Sequence, residues 1–437
     1  ATHFGMWLNN KKANLVAICD KDKKKLKFAR KLKKIIKNKN FIVQGNKRSY
    51  GDVALNKKLL ISMKNFNQIK YFNKKKGIIE IESGVLLKDL ITKITDYKWF
   101  VPITPGTKYV SLGGMVANNI HGKNIINNQL KHFIKEIKLL KTNKKIVICS
   151  KKKNKKIFDL TVGGYGLTGV IISITLKLKK ISSLFLDQKI LEFNNYKQFF
   201  SMTNCENNYE YSVYWIDNFS EKNIQGLNYL SKHSNKKFQN NVLIKDKKIN
   251  LFSYLISKII IKNYYISKLI NLVFRKYKKI FYSRLVDYNE AFYPQDYYTD
   301  WNKIYGNNGF FEIQFIIPKK IFIKILGEIS FFFKKNKIFS PFIVFKKYSE
   351  NGKYLNFSGK GYSISFDFEI NKNKKKIEKF FNSLFLKNKL KVNFSKDLIT
   401  NKKNAYNYPE FKNFKIEISR LNKKRKLSSY FSERLGI

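Results

Sequence analysis

The sequence predicts an α+β protein of two domains. Three observations carry this reading. The chain is long enough, at 437 residues, for more than one core. Residues 1–181 alternate short β-branched runs, short amphipathic helices and glycine-rich loops, the pattern of an α+β unit. Beyond them lie aromatic-rich strands interleaved with two longer amphipathic helices, which predicts a sheet covered by helices on one face over residues 182–390. The last stretch, 391–437, is expected to return to the first domain and complete it.

The elements follow in order. Lys23 to Asn38 places Leu26, Ala29, Leu32, Ile35 and Ile36 at helical spacing among lysines, an amphipathic surface helix. Phe41 to Gln44, Leu59 to Met63 and Ile78 to Glu82 read as strands, and Leu86 to Ile94 as a short helix. Lys135 to Leu140 and Lys145 to Cys149 form a hairpin with Thr142-Asn143 at its turn, and Val170 to Leu178 is a β-branched strand. In the second domain Phe310 to Ile317, Phe342 to Phe345 and Tyr362 to Phe368 are strands, while Ile321 to Phe333 and Lys376 to Leu386 are helices. Asn250 to Arg275 is helical with Asn250, Ser253, Ser257, Lys268, Asn271 and Arg275 on one face and Leu251, Leu255, Ile259, Ile266, Leu269 and Val273 elsewhere. Such a segment either lies in a membrane interface or packs, as one helix or a pair of helices, into the second domain.

Composition excludes several classes. With 43% hydrophobic and 16% aromatic residues, the chain is no disordered basic tail, despite 88 Lys+Arg against 30 Asp+Glu and a net charge of +58. Only seven of the basic residues are Arg, the side chain suited to bidentate phosphate and guanine contacts, so no nucleic-acid partner is expected. A positive surface of scattered lysines instead favours anionic lipid or a phosphorylated substrate. Cys19, Cys149 and Cys205 are too few and too far apart for a disulfide framework, and four histidines without ligand spacing predict no metal site. Without a signal-like apolar segment or about eighteen unbroken apolar residues, the chain is expected to be cytoplasmic, at most peripheral on the inner face of the membrane.

Chemistry concentrates in three glycine-bounded clusters. Gly45-Asn46-Lys47-Arg48-Ser49-Tyr50-Gly51-Asp52 follows a strand, and a loop of this kind can turn several backbone N–H groups toward one anion. Pro105-Gly106-Thr107, Ser111-Leu112-Gly113-Gly114 and Asn118-Asn119-Ile120-His121-Gly122-Lys123-Asn124 combine close backbone approach with small and amide side chains. Thr161 to Gly169 carries four glycines at the entry to a strand. Each alone reads as a turn-rich loop.

In this order and spacing the clusters resemble the PCMH-type FAD-binding fold of the vanillyl-alcohol-oxidase superfamily, and within it the oxidases of polyprenyl-phosphate sugars. The likeness spans nearly the whole chain. It continues through Gly166-Leu167-Thr168-Gly169, Tyr211-Ser212 with Trp215 and Asp217, and Trp301-Asn302 with Tyr305-Gly306. It ends with Gln314-Phe315, Lys396-Asp397 and Arg434-Leu435. The resemblance implies an FAD held by Gly45, Asn46, Lys47, Arg48, Ser49, Tyr50, Gly51, Asp52, Gly106, Thr107, Ser111, Leu112, Gly113, Gly114, Asn118, Asn119, Ile120, His121, Lys123, Ile171 and Asn393. Relatives that bond the flavin covalently use a histidine near the position of Arg48, and none stands there in this loop, so noncovalent FAD is expected.

The resemblance further implies Lys396, His121 and Tyr50 as catalytic groups and a substrate pocket lined by Trp215, Phe292, Glu312, Gln314, Lys346, Ser363 and Ser365. Several of these depart from the family pattern: Glu312 replaces a glutamine, Phe292 a tyrosine, Ser363 an asparagine, Asn393 a tyrosine, and Ser365 the cysteine of mycobacterial relatives. The implied activity is FAD-dependent oxidation of a secondary alcohol of a sugar, a polyprenyl-phosphate pentose. Its keto product would pass to an NADH-dependent short-chain reductase as the second half of an epimerisation, in a pathway of cell-wall or surface polysaccharide. A sugar-1,4-lactone oxidase of the same fold is the nearest alternative. A noncatalytic basic protein that binds membranes or nucleic acid is the alternative of another class.

Overall fold

The computed structural model describes residues 14–16, 40–127, 129–235, 247–248, 263–299, 301–305 and 308–437. The amphipathic helix expected over Lys23 to Asn38 and the 250–262 half of the Asn250 to Arg275 segment lie outside the described residues.

Three sheets of three or more strands organise the described residues. Asn14–Val16, Leu59–Ser62 and Ile42–Gln44 form a small parallel sheet with Leu59–Ser62 at its centre. Ile69–Asn73, Ile78–Glu82, Val170–Lys177, Ile134–Leu140 and Ile146–Cys149 form, in that spatial order, a five-stranded antiparallel sheet. Its outer pair is the predicted hairpin. The apolar stripe of helix Leu87–Thr95 buries Leu87, Leu90, Ile91 and Ile94 against Ile79, Ile81, Ile137 and Ile174. The short helix Leu112–Ala117, capped by the Ser111 hydroxyl accepting from the Gly114 N–H, adds Leu112 and Met115 to the same core.

The third sheet has eight antiparallel strands in the order Ser283–Asp287, Phe185–Phe193, Ile224–His233, Tyr211–Phe219, Ile343–Tyr348, Gly361–Glu369, Phe310–Ile317 and Lys391–Val392. Successive strand residues point to opposite faces, and here the two faces differ in kind. Phe311, Ile313, Phe315 and Ile317, with Ile364, Phe366 and Phe368 of the neighbouring strand, face helices Phe322–Asn336 and Lys374–Asn388 and form an aromatic core with Phe333, Phe381 and Phe385. The residues between them, Glu312, Gln314, Ser363, Ser365 and Asp367, point the other way. Helices Phe322–Asn336 and Lys374–Asn388 therefore cover one face, as the sequence predicts, and the polar residues of these two strands face the site.

The C-terminal residues pack on the N-terminal part of the chain. Phe394, Tyr408, Phe414, Phe431 and Leu435 share a core with Ile42, Val53 and Leu60. The Phe41 N–H donates to Lys426 O at 2.7 Å and the Gly51 N–H to Ser395 O at 3.0 Å. Gly51 sits so close to the returning segment that a Cβ there would lie 2.6 Å from Asp397 O and 2.7 Å from Phe394 O. Arg434 locks this contact. Its Nη2 lies 2.8 Å from Asp52 Oδ1, its Nη1 lies 3.0 Å from Asp397 Oδ2, and it also donates to Thr400 O. Both carboxylates are buried, so removing the guanidinium would strand two charges. Arg434→Ala should cost about 3–5 kcal/mol, read as a lowered midpoint of urea unfolding; an unchanged midpoint would show that the apolar contacts alone hold the segment.

Helix Tyr264–Lys279 begins at Asn263, whose extended backbone and side-chain bonds to the Tyr265 and Ile266 N–H groups make it an N-cap. Of the one helix or pair of helices expected over Asn250 to Arg275, the single continuous helix is thereby ruled out.

Candidate active site

A cavity of about 1250 Å³ lies between the glycine-bounded loops and the polar face of the eight-stranded sheet. Its first wall is the loop from Gly45 to Gly51, which leaves strand Ile42–Gln44, together with Gly106, Thr107, Ser111, Gly113, Gly114, Asn118, Ile120, His121, Lys123 and Ile171. Its second wall is built from alternate strand residues: Trp215, Glu312, Gln314, Lys346 and Ser365, with Asn393 and Lys396 from the returning segment and Phe292 at one end.

Four residues expected at the site stand one layer behind. Asp52 is drawn to Arg434, Leu112 is fully buried in the first core, and the Asn119 side chain is bound to Gln129 and the Lys131 N–H. Ser363 is buried beneath Gln314 and accepts from its Nε2 at 2.9 Å. None of the four lines the cavity, and of them Ser363 holds a residue that does.

The first wall has the features of a cradle for a flat, polar ligand. Gly113 lies against Ser83, where a Cβ would approach the serine Cβ to 2.7 Å, while a Cβ on Gly106 would meet nothing within 4 Å. Gln44 Oε1, Ser83 Oγ and Asn118 Oδ1 are buried polar atoms on lining residues with no protein partner. Buried polar groups are normally paired. Three orphans on one wall of one cavity fit a ligand rich in donors and acceptors, as FAD is.

The second wall carries the charge. Lys396 Nζ lies 2.6 Å from Glu312 Oε1 and 5.7 Å from the centre of the Tyr50 ring. Tyr50 packs edge-on against Phe310 at 5.1 Å, and burial, helped by the nearby Glu312 and Asp367 carboxylates, holds its phenol well above the usual range. Gln314 is fixed from both sides, since its Oε1 accepts from Asn393 Nδ2 at 2.7 Å. Asp367, which the sequence reading did not single out, also faces the cavity, and the Tyr305 hydroxyl approaches it at 3.4 Å. Burial, reinforced by Glu312, raises its carboxyl well above the ordinary value. The signal was present in the strand Gly361–Glu369, where Ser363, Ser365 and Asp367 recur at every second position.

Burial lowers the pKa of three further groups. His121 sits between Tyr348 at 5.2 Å and Phe357 at 5.6 Å, and burial, with Lys346 and Lys396 nearby, depresses its pKa well below the usual value. Lys346 is lowered to about 7 by burial and by Lys396 and Lys123; what surface it exposes faces the cavity. Lys123 is lowered to about 8 by burial, while donating to Ala291 O at 2.7 Å and Phe292 O at 3.2 Å. The amine that burial brings into the neutral range is thus that of Lys346, whereas Lys396 is engaged by Glu312.

The comparisons agree with this geometry. The FAD binding domain family matches residues 26–150, the part that supplies most of the first wall. The chain is an FAD-dependent oxidoreductase that acts on CH–OH donors, with a PCMH-type FAD-binding domain. It is 28% identical over 346 residues to the decaprenylphosphoryl-β-D-ribose oxidase of Mycolicibacterium smegmatis, a match spanning 75% of this chain and 74% of that one. It is also similar to the L-gulonolactone oxidase of Mus musculus, 26% identical over 140 residues, and to the D-lactate dehydrogenase of Anaerostipes hadrus, 26% identical over 152 residues. Each of these matches spans 32% of both chains.

A buried amine with a depressed pKa makes the fold pH-dependent. Below about 7 Lys346 must carry its charge inside the protein, and the cost fades as pH rises from about 7 toward the ordinary lysine value of 10.5. Lys346→Met should therefore stabilise the flavin-free protein most below pH 7, by about 1–3 kcal/mol once the wet cavity is allowed for. The gain should shrink in alkaline buffer. Thermal unfolding across the pH range checks this, and a gain independent of pH would remove the depressed amine from the account.

Proposed function

We propose that the protein oxidises a secondary alcohol of a polyprenyl-phosphate pentose. The observation that carries the reading is the reach of the similarity: the likeness to the ribose oxidase spans 75% of the chain, while that to the lactone oxidase spans 32%. The substrate wall, assembled from Trp215, Glu312, Gln314, Lys346, Ser365, Asp367, Asn393 and Lys396, lies in the sequence beyond the FAD-binding match.

FAD, held without a covalent bond by the loop from Gly45 to Gly51 with Gly106, Ser111, Gly113, Gly114 and Asn118, would supply the hydride acceptor for the alcohol carbon. The side chains of this protein manage the rest. Gln314, oriented by Asn393 and Ser363, and Asp367, whose carboxyl burial raises, fix sugar hydroxyls. Lys396, held by Glu312, places positive charge where the hydroxyl loses its proton, and the His121 imidazole and the Lys346 amine, both lowered by burial, are acceptors within the same cavity. Trp215 offers an aromatic face to the sugar ring. The keto product is reduced by a separate NADH-dependent short-chain reductase.

Anaerobic mixing of the FAD-loaded protein with a polyprenyl-phosphate ribose should bleach the flavin, while L-gulono-1,4-lactone should not. The reverse would establish the lactone oxidase reading instead. Lys396→Met should keep its FAD and lose about 10²–10⁴-fold in bleaching rate. An unchanged rate would move proton transfer to His121 or Lys346.

A further inference from the structure

Helix Tyr264–Lys279 is packed the wrong way round for a soluble protein. The stripe it turns inward is polar: Ser267, Asn271 and Arg275, spaced four residues apart, are all buried. Arg275 fixes it, with Nε 3.0 Å from Asp217 Oδ2, Nη1 3.3 Å from Glu192 Oε1, and Nη1 donating to Asn194 Oδ1 at 2.9 Å. The outward face is apolar. Leu269 and Val273 are each 60% exposed, Tyr265 and Tyr277 more than half, and Ile280 continues the surface past the helix end. A contiguous apolar patch of this kind marks an interaction surface.

Its charge identifies the partner. Between residues 264 and 286 the sequence has six basic residues and no acidic one. Arg275 is neutralised inside and Arg284 pairs with Glu290, leaving lysines to rim the apolar face. An apolar stripe bordered by lysines suits an anionic bilayer, where each basic residue near the surface contributes about 1 kcal/mol. The inner edge of the same helix borders the cavity. Phe274 and Lys278 line it, and the Phe274 ring meets Trp215 edge-on at 5.2 Å.

We propose that the outward face of this helix docks the protein on an anionic lipid surface and holds the mouth of the cavity against it. The docking stands on the surface itself. Only its use, delivery of a lipid-linked substrate from the bilayer, rests on the function proposed above.

The test is co-sedimentation of the full-length, FAD-loaded protein with phosphatidylcholine vesicles, with and without phosphatidylglycerol, at low and high salt. Binding should require the anionic lipid at low salt and persist in part at high salt. In L269S/V273S, both changes lying on the exposed face, the high-salt fraction should fall about tenfold or more, with flavin absorbance and circular dichroism unchanged. In K268Q/K276Q the low-salt binding should fall instead. Wild-type protein that ignores anionic vesicles would overturn the proposal. So would an L269S/V273S variant that binds as well as wild type. A wild-type dimer that L269S/V273S converts to monomer would assign the face to a second copy and overturn it as well. The vesicles contain no sugar, so a wrong substrate assignment leaves these results untouched.

Discussion

The alternation of side chains across one sheet is the constraint on which the site depends. Strands Phe310–Ile317 and Gly361–Glu369 place every second residue against two helices, and those positions are filled with Phe and Ile. The register that buries them leaves Glu312, Gln314, Ser363, Ser365 and Asp367 on the opposite face. A slip of one residue would exchange the two sets. The aromatic core is therefore also what aims the polar wall at the cavity.

Charge is distributed by the same economy. In a chain with 30 acidic residues and a net charge of +58, carboxylates are scarce, yet several are buried beside a cation. Asp52 and Asp397 hold Arg434, which ties the returning segment to the first loop. Asp217 and Glu192 hold Arg275, which orients the outer helix. Glu312 holds Lys396 at the cavity. Breaking such a pair strands a charge in low dielectric, so each fixes geometry more firmly than a surface bridge can. The surplus lysines are left mainly to the surface, where they favour anionic partners.

Much of this was legible in the sequence. Strands Ile78–Glu82 and Phe310–Ile317 stand where their β-branched and aromatic runs place them, and the glycine clusters converge on one cavity. The strands Phe185–Phe193, Tyr211–Phe219 and Ile224–His233 were not anticipated. Their inward positions mix Gln188, Asn228 and Ser231 with apolar residues, so hydrophobic period gave little signal. Asp52 sits in a matched motif and Ser363 was expected in the substrate pocket, but they turn toward Arg434 and Gln314, contacts that span 382 and 49 residues and have no local trace. The outer helix showed two faces without showing which one turns inward. The buried carboxylates of Glu192 and Asp217 on two distant strands, with the amide oxygen of Asn194 just past one of them, decide that.

The central claim is that the cavity between the glycine loops and the polar sheet face holds FAD without a covalent bond. The most direct measurement is the flavin content of the purified protein before and after acid precipitation. The account predicts about one FAD per chain, the single-site stoichiometry of a PCMH-type domain, recovered in the supernatant. Flavin that stays with the precipitate would contradict noncovalent binding, and protein that takes up no flavin on reconstitution would contradict the site itself.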